Sequence, residues 1–132
     1  MVAARSLHLV FGLVGVLAFL GTGAYMATHF PAAYESGESI RYLYRANLVY
    51  LLLASLINLS LGFYRTGTRP GWRGAVGLTG SALLLAAPLL LFYAFFVEPR
   101  HGVPERPATF VGAVLLLVGV LLQWPNRAPT QT

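Results

Sequence analysis

Few groups in this sequence could do chemistry, and two asparagines stand out because they interrupt an apolar run. Asn47 and Asn58 lie within RANLVYLLLASLINLSLGFYR, residues 45–65. An amide without a hydrogen-bond partner in apolar surroundings costs about 2–7 kcal/mol. At 3.6 residues per helical turn, their spacing places both within roughly 20° of one helix face. We therefore expect this helix to turn a polar stripe towards other helices, with Ala54 and Ser55 beside Asn58 in the helix–helix contact.

The first of these asparagines is also a candidate ligand contact. Tyr25, Asn47, Tyr50 and Tyr93 are predicted at similar depths, in the half of the helices away from both termini. If they face inward together, they line an apolar pocket with a few polar groups, as small-molecule sites do. A lipid, a quinone or a carotenoid would suit such a pocket. Tyrosines at this depth are equally typical of the aromatic belt at a membrane–water interface.

No metal site or cofactor is predicted, and His29 and His101 are the nearest candidates for metal ligands. They fall on the same predicted side as all four glutamates, so nitrogen and oxygen ligands could meet there. Their spacing matches no known metal motif, and solvated loop residues are the simpler interpretation. His8 lies at the opposite end of the first helix from His29, which argues against a bis-histidine haem site. The absence of cysteine excludes disulfides and thiolate chemistry.

The composition indicates the elements that position these groups. Of the 132 residues, 57% are hydrophobic and 10% are charged, against about 25% charged in soluble domains. Small soluble domains bury only about two-thirds of their surface, so we expect lipid to surround most of this chain. The nine basic residues are all arginines that punctuate apolar runs. This pattern favours membrane flanks and argues against nucleic acid as a partner.

Four apolar segments are long enough, or nearly so, to cross a hydrocarbon core of about 30 Å, which requires about 20 helical residues. They cover about residues 7–28, 46–64, 74–97 and 108–124. The first is long for a signal peptide, so we interpret it as a retained helix. The connections are short and no repeat is evident. The predicted fold is therefore all-α, a four-helix transmembrane bundle in which residues 1–132 form one integral membrane domain.

The distribution of arginines predicts the orientation. The second loop contains Arg65, Arg69 and Arg73, and it shares a side with Arg5 and Arg127. The other side has four arginines together with all four glutamates, and acidic residues count weakly in the charge rule. The concentration in the second loop favours both termini on the cytoplasmic side. The expected location is the inner membrane, with several passes.

Three further features of the spans concern helix packing, helix shape and transport. Glycines in the first and third spans, and the step from Ala82 to Ala86, predict close approach of helices. Pro88 removes one backbone hydrogen bond from the third span, so we expect a kink there. We find no acid or base deep in any span, which argues against proton-coupled transport.

The layout of the chain, and especially ESIRYLYRANLVYLLLASLINLSLGFY, resembles small four-helix inner-membrane proteins of bacteria that carry no assigned activity. This resemblance covers most of the chain and implies a fold without a mechanism. Arg45, Ala46 and Asn47 also resemble the start of the second helix in the membrane-associated enzymes of eicosanoid and glutathione metabolism, which are four-helix trimers. The glutamate of that family's motif is absent here.

Together these features predict a non-enzymatic structural or accessory role in assembly. The expected partners are membrane lipid and either other membrane subunits or a second copy of the chain. The alternative is a binder or carrier of a lipid-like small molecule in the pocket of the three tyrosines. A small membrane transporter and a glutathione-type membrane enzyme are further alternatives.

Overall fold

The computed structural model describes residues 2–29, 38–64, 70–98 and 106–124, and these ranges contain four α-helices. They are α1 (Val2–His29), α2 (Glu38–Tyr64), α3 (Trp72–Val97) and α4 (Pro107–Gln123). The first three are long and apolar enough to cross a membrane, whereas α4 has 17 residues and is shorter. The expected all-α fold with four helices is confirmed.

The starts of α3 and α4 follow from the residues at those positions. Gly71 precedes α3 with φ +78°, a conformation that residues with a Cβ rarely adopt, and its carbonyl accepts from the backbone N–H groups of Gly74 and Ala75. Pro107 opens α4, where its missing N–H removes no helical hydrogen bond. Along their lengths, the four helices are apolar around most of their circumference, which is typical of helices buried in protein or lipid.

Consecutive helices run antiparallel, with α2 and α3 in the centre. In α2, Asn58 lies beside His8 of α1 and Leu84 of α3, whereas Asn47 lies beside Ala94 near the other end of α3. The helix α1 packs mainly against α2 and α4 mainly against α3, while α1 and α3 touch little. The start of α1 and the end of α4 therefore lie at one end of the bundle, which we name the terminal end.

The core follows the contact between α2 and α3 along the bundle. Its middle is a cluster of aliphatic side chains on α2, α3 and α4: Leu51, Ala54, Leu84, Ala87, Leu91 and Leu116. Towards the end away from the termini, Tyr44 and Phe95 meet edge to face with ring centroids 5.1 Å apart. The outer surface is also apolar, since Leu13, Val14 and Leu17 of α1 are each more than half exposed.

Glycines bring the two helices of each antiparallel pair close together. A Cβ atom on Gly12 of α1 would lie 2.7 Å from the backbone nitrogen of Leu59 in α2. A Cβ on Gly119 of α4 would lie 2.6 Å from Cγ of Leu84 in α3. By contrast, Ala82 and Ala86 are exposed, so the small-residue step of α3 lies outside the contacts among these four helices.

We expect Gly12→Ala to destabilise the protein by about 1–3 kcal/mol, because the new methyl group overlaps a neighbouring backbone that cannot move independently. The matched control is Gly21→Ala in the same helix, where a Cβ meets nothing within 4 Å. That substitution should be neutral or slightly stabilising, since alanine favours a helix more than glycine does. Thermal unfolding in detergent measures both, and equal stability of the two variants would contradict the close α1–α2 contact.

Candidate functional site

At the terminal half of the bundle, one buried amide joins three helices. Asn58 of α2 is fully buried, and its Nδ2 donates to the carbonyl of Ala54 at 2.9 Å and to that of Leu84 in α3 at 2.7 Å. Its Oδ1 lies 2.7 Å from Nδ1 of His8 in α1. His8 is also fully buried. We call this group the His8 cluster: His8, Asn58 and the carbonyls of Ala54 and Leu84.

The geometry of the His8 cluster assigns the hydrogen on the imidazole ring. Both hydrogens of the Asn58 amide point at carbonyl oxygens, so the amide oxygen faces His8 and can only accept. The Nδ1 atom of His8 must therefore bear the hydrogen and donate it. The opposite orientation of the amide would place its oxygen against two carbonyl oxygens, which is repulsive. In this arrangement both N–H groups and the oxygen of the Asn58 amide have hydrogen-bond partners.

A second group of polar side chains, all buried except for the partly buried Arg106, lies near the end of the bundle away from the termini. It consists of Asn47 on α2, Glu98 directly after α3, and Arg106 and Thr109 at the start of α4; we call it the Glu98 cluster. Asn47 Nδ2 donates to the carbonyl of Ala94 at 3.3 Å, and Asn47 Oδ1 accepts from Arg106 Nη2 and from Thr109 Oγ1. Glu98 Oε2 is a second acceptor within reach of the same Thr109 hydroxyl, whose single hydrogen is donated to one of the two oxygens at a time. These bonds join α2, α3 and α4.

The Glu98 carboxylate caps the first turn of α4. The first residues of a helix have backbone N–H groups without a partner inside the helix. Here Pro107 has no N–H, and the N–H groups of Ala108 and Thr109 donate to Glu98. The next N–H, that of Phe110, already donates to the carbonyl of Arg106 at 3.0 Å. A negative charge at this position is further stabilised by the helix dipole.

Sequence reasoning missed most members of these clusters. The sequence pattern ends the third span at residue 97 and so places Glu98 in the following loop, yet Glu98 is 4% exposed because the last turn of α3 places it against the start of α4. The sequence pattern predicts no structural role for His8. The only local signals are a glutamate directly after an apolar span and a proline that opens the next helix. The Nε atom of Arg106 is buried, and no hydrogen-bond partner for it is found in the described ranges of the chain.

The structure places the predicted helix-contact residues as follows. Ala54 and Ser55 are fully buried, and Ser55 Oγ donates to the carbonyl of Leu51 in its own helix at 2.7 Å. A Cβ on Gly15 of α1 would lie 2.1 Å from that Oγ atom, so Ser55 packs directly against α1. Pro88 is buried inside α3, and the kink expected there stays a prediction.

The predicted ligand residues are differently placed from one another. Tyr25, Tyr50 and Tyr93 are 42%, 37% and 57% exposed, whereas Asn47 is fully buried in the Glu98 cluster. None of the four lines either of the two openings described below. A shared ligand site for these residues stays a prediction.

The candidate metal ligands give no geometry to evaluate. His29 ends α1, but its side chain lies outside the described part of the structure, and so does His101. Among the residues that the structure does describe, no three histidine or glutamate side chains come close enough together to hold a metal ion.

In the part of the chain that the structure describes, two surface openings border α1. The first, the α1–α3 groove, has a volume of about 300 Å³. It is lined by apolar residues and one glycine: Val10, Phe11, Val14, Gly15, Ala18, Leu51, Pro88, Leu89 and Phe92. The second, the arginine pocket, lies between α1 and α2 and has a volume of about 310 Å³. Its lining combines two cations with small and apolar residues: Gly23, Met26, Ala27, Arg41, Arg45 and Leu48.

Comparison of the chain with protein-family models, with curated proteins and with solved structures finds no significant match. Function therefore has to be argued from the two polar clusters, the two openings and the apolar surface.

We expect Asn58→Leu to destabilise the protein by about 1–3 kcal/mol, because the Nδ1–H group of His8 loses its acceptor and stays buried. Adding His8→Phe to this variant should restore part of the loss, since no unpaired ring N–H then remains. Ser60→Ala is the control in the same helix, because that hydroxyl is exposed and its one bond within the described ranges is to the Leu56 carbonyl of α2. Denaturant titration in detergent measures all three, and an Asn58→Leu variant as stable as Ser60→Ala would contradict the role of the His8 cluster.

We expect Glu98→Ala to loosen the first turn of α4, since two backbone N–H groups lose their acceptor at a cost of about 0.5–2 kcal/mol. Hydrogen exchange at the amides of Ala108 and Thr109 should accelerate, with little change in the middle of α4. Glu98→Gln keeps an accepting oxygen and should show a smaller effect. Unchanged exchange at both amides in the alanine variant would refute the capping role.

Proposed function

We propose that this chain is an integral protein of the inner membrane, a four-helix transmembrane bundle with both termini on the cytoplasmic side. We further propose that its role is non-enzymatic assembly, as an accessory subunit of a larger membrane complex or as a homo-oligomer. The observation that carries the proposal is an apolar outer surface around a core that contains buried polar side chains as well as apolar ones.

Insertion in a bilayer explains why the polar groups are arranged in closed clusters. In hydrocarbon no water satisfies an unpaired group, and the amides of Asn47 and Asn58 are fully buried and bonded to neighbouring helices. On the outside, the surfaces of α1 and α4 carry exposed leucine, valine and phenylalanine. Such surfaces suit acyl chains or other apolar helices.

Two tryptophans support the level of the bundle in the membrane. Trp72 and Trp124 are 67% and 66% exposed, and both lie at the terminal end. Tryptophan is enriched at the membrane–water interface. Arg73 lies over the Trp72 ring, with its guanidinium carbon 5.5 Å from the ring centroid. A cationic, tryptophan-containing face at this end agrees with a cytoplasmic position for both termini.

The assembly role is supported by the α1–α3 groove. The groove has a volume of about 300 Å³ and an apolar lining that includes the small residues Gly15 and Ala18. Small residues allow the backbone of another helix to approach closely. We propose that a helix of a partner subunit or of a second copy occupies it. The alternative proposal is that the protein binds or carries a lipid-like small molecule, which would be a lipid, a quinone or a carotenoid. Transport and glutathione-type chemistry stay predictions without a site among the described residues.

We expect Val14→Trp to reduce assembly, because the bulky ring fills the groove. Leu17→Trp is the matched control on the same helix, since Val14 and Leu17 are 57% and 59% exposed but only Val14 lines the groove. Native mass spectrometry of the protein released from gently solubilised membranes measures the change. The wild-type and Leu17→Trp proteins should appear in the same complex, and the Val14→Trp protein mainly as a monomer. A monomeric wild-type protein, or equal assembly of both variants, would overturn the proposal.

A further inference from the structure

The arginine pocket combines positive charge with an apolar floor. Arg41 and Arg45 are one helical turn apart on α2, so they share a face. Both side chains are exposed and therefore accessible. The floor is packed, because Leu48 is part of the buried cluster with Tyr44 and Phe95 and Met26 packs against that cluster. A volume of about 310 Å³ is at the lower end of the range of small-molecule sites.

The pocket lies at the depth of lipid headgroups. The 28 residues of α1 span about 42 Å at 1.5 Å per residue, which exceeds a hydrocarbon core of about 30 Å. Roughly 6 Å at each end of α1 therefore extends into the headgroup region. Met26 and Ala27 lie within about 5 Å of the last residue of α1. The apolar span of α2 begins at Arg41 itself.

We propose that the arginine pocket binds the headgroup phosphate of an anionic phospholipid, at the end of the bundle away from the termini. Guanidinium groups bind phosphate oxygens by paired, charge-assisted hydrogen bonds, and among the residues that the structure describes no acidic one lines the pocket. The proposal rests on the membrane insertion proposed above but is independent of assembly, since the arginine pocket and the α1–α3 groove share no residue.

The apolar surface continues from the pocket towards the middle of the bundle, which favours a lipid over a free phosphate ion. Phe19 lies four residues before Gly23 on α1, and Leu52 lies four residues after Leu48 on α2. Each is on the same face as its pocket neighbour, and each is partly exposed. An acyl chain that leaves the pocket can therefore run over Phe19 and Leu52.

The test uses the purified full chain in neutral detergent, after resistance to alkaline carbonate extraction has established that it is an integral membrane protein. Binding of a fluorescent phosphatidylglycerol is measured by titration, with a phosphatidylcholine of the same acyl chain and inorganic phosphate as competitors. We expect phosphatidylglycerol to be preferred over phosphatidylcholine. Inorganic phosphate should compete weakly. Removing both charges by Arg41→Gln with Arg45→Gln should weaken binding on the order of 30-fold.

Two matched controls distinguish binding in the arginine pocket from two other effects. These are attraction to any positive charge and nonspecific adhesion of lipid to the apolar surface. Arg73→Gln removes a cation at the terminal end and should leave the affinity unchanged. Gly23→Leu fills the pocket without altering charge, whereas Gly21→Leu adds the same side chain outside it; a Cβ at either glycine meets nothing within 4 Å. Weaker binding by the Gly23 variant alone supports the pocket. Equal affinity for the two lipids, equal competition by inorganic phosphate, or identical affinity of both leucine variants would overturn it.

Discussion

The Asn58 amide is the interaction on which the arrangement of the first three helices depends. It is fully buried on α2, and it bonds to His8 of α1 and to the Leu84 carbonyl of α3. An unpaired amide or imidazole N–H in this position would be costly, because neither has access to water. Sliding α1 or α3 by one turn along α2 would break these bonds, so the amide selects one register from many that apolar packing alone would tolerate. The close contact of Gly15 with Ser55 occurs in that same register.

The Glu98 cluster does the same for the fourth helix at the other end of the bundle. Asn47 connects α2 to α3 and α4, while the Glu98 carboxylate satisfies the first backbone N–H groups of α4. Between the two asparagines lies about 16 Å of α2, packed by aliphatic side chains that specify no direction. Polar bonds at both ends and apolar packing in the middle together give a unique bundle. In a hydrocarbon environment, polar bonds would select the helix register strongly, because hydrocarbon offers no competing partners for polar groups.

The two openings follow from the position of α1. This helix packs closely on α2 through Gly12 and Gly15 and touches α3 little, so a groove remains between α1 and α3. Near its other end, Gly23 lacks a side chain and leaves the arginine pocket beside α2. The groove is lined by apolar residues, whereas the lining of the pocket includes two arginines. The same helix therefore borders both the groove proposed for a partner helix and the pocket proposed for a lipid headgroup.

The helices and the polar face of α2 are predictable from the sequence, because both depend on local properties: the length of an apolar run and the 3.6-residue period. The partners of that face depend on the packing of the helices. His8 and Asn58 are 50 residues apart, and Thr109 and Asn47 are 62 apart. Which of them meet depends on helix order and register, which no local pattern encodes. For the same reason Glu98 resembled a solvated loop residue in the sequence, although the start of α4 buries it in the folded chain.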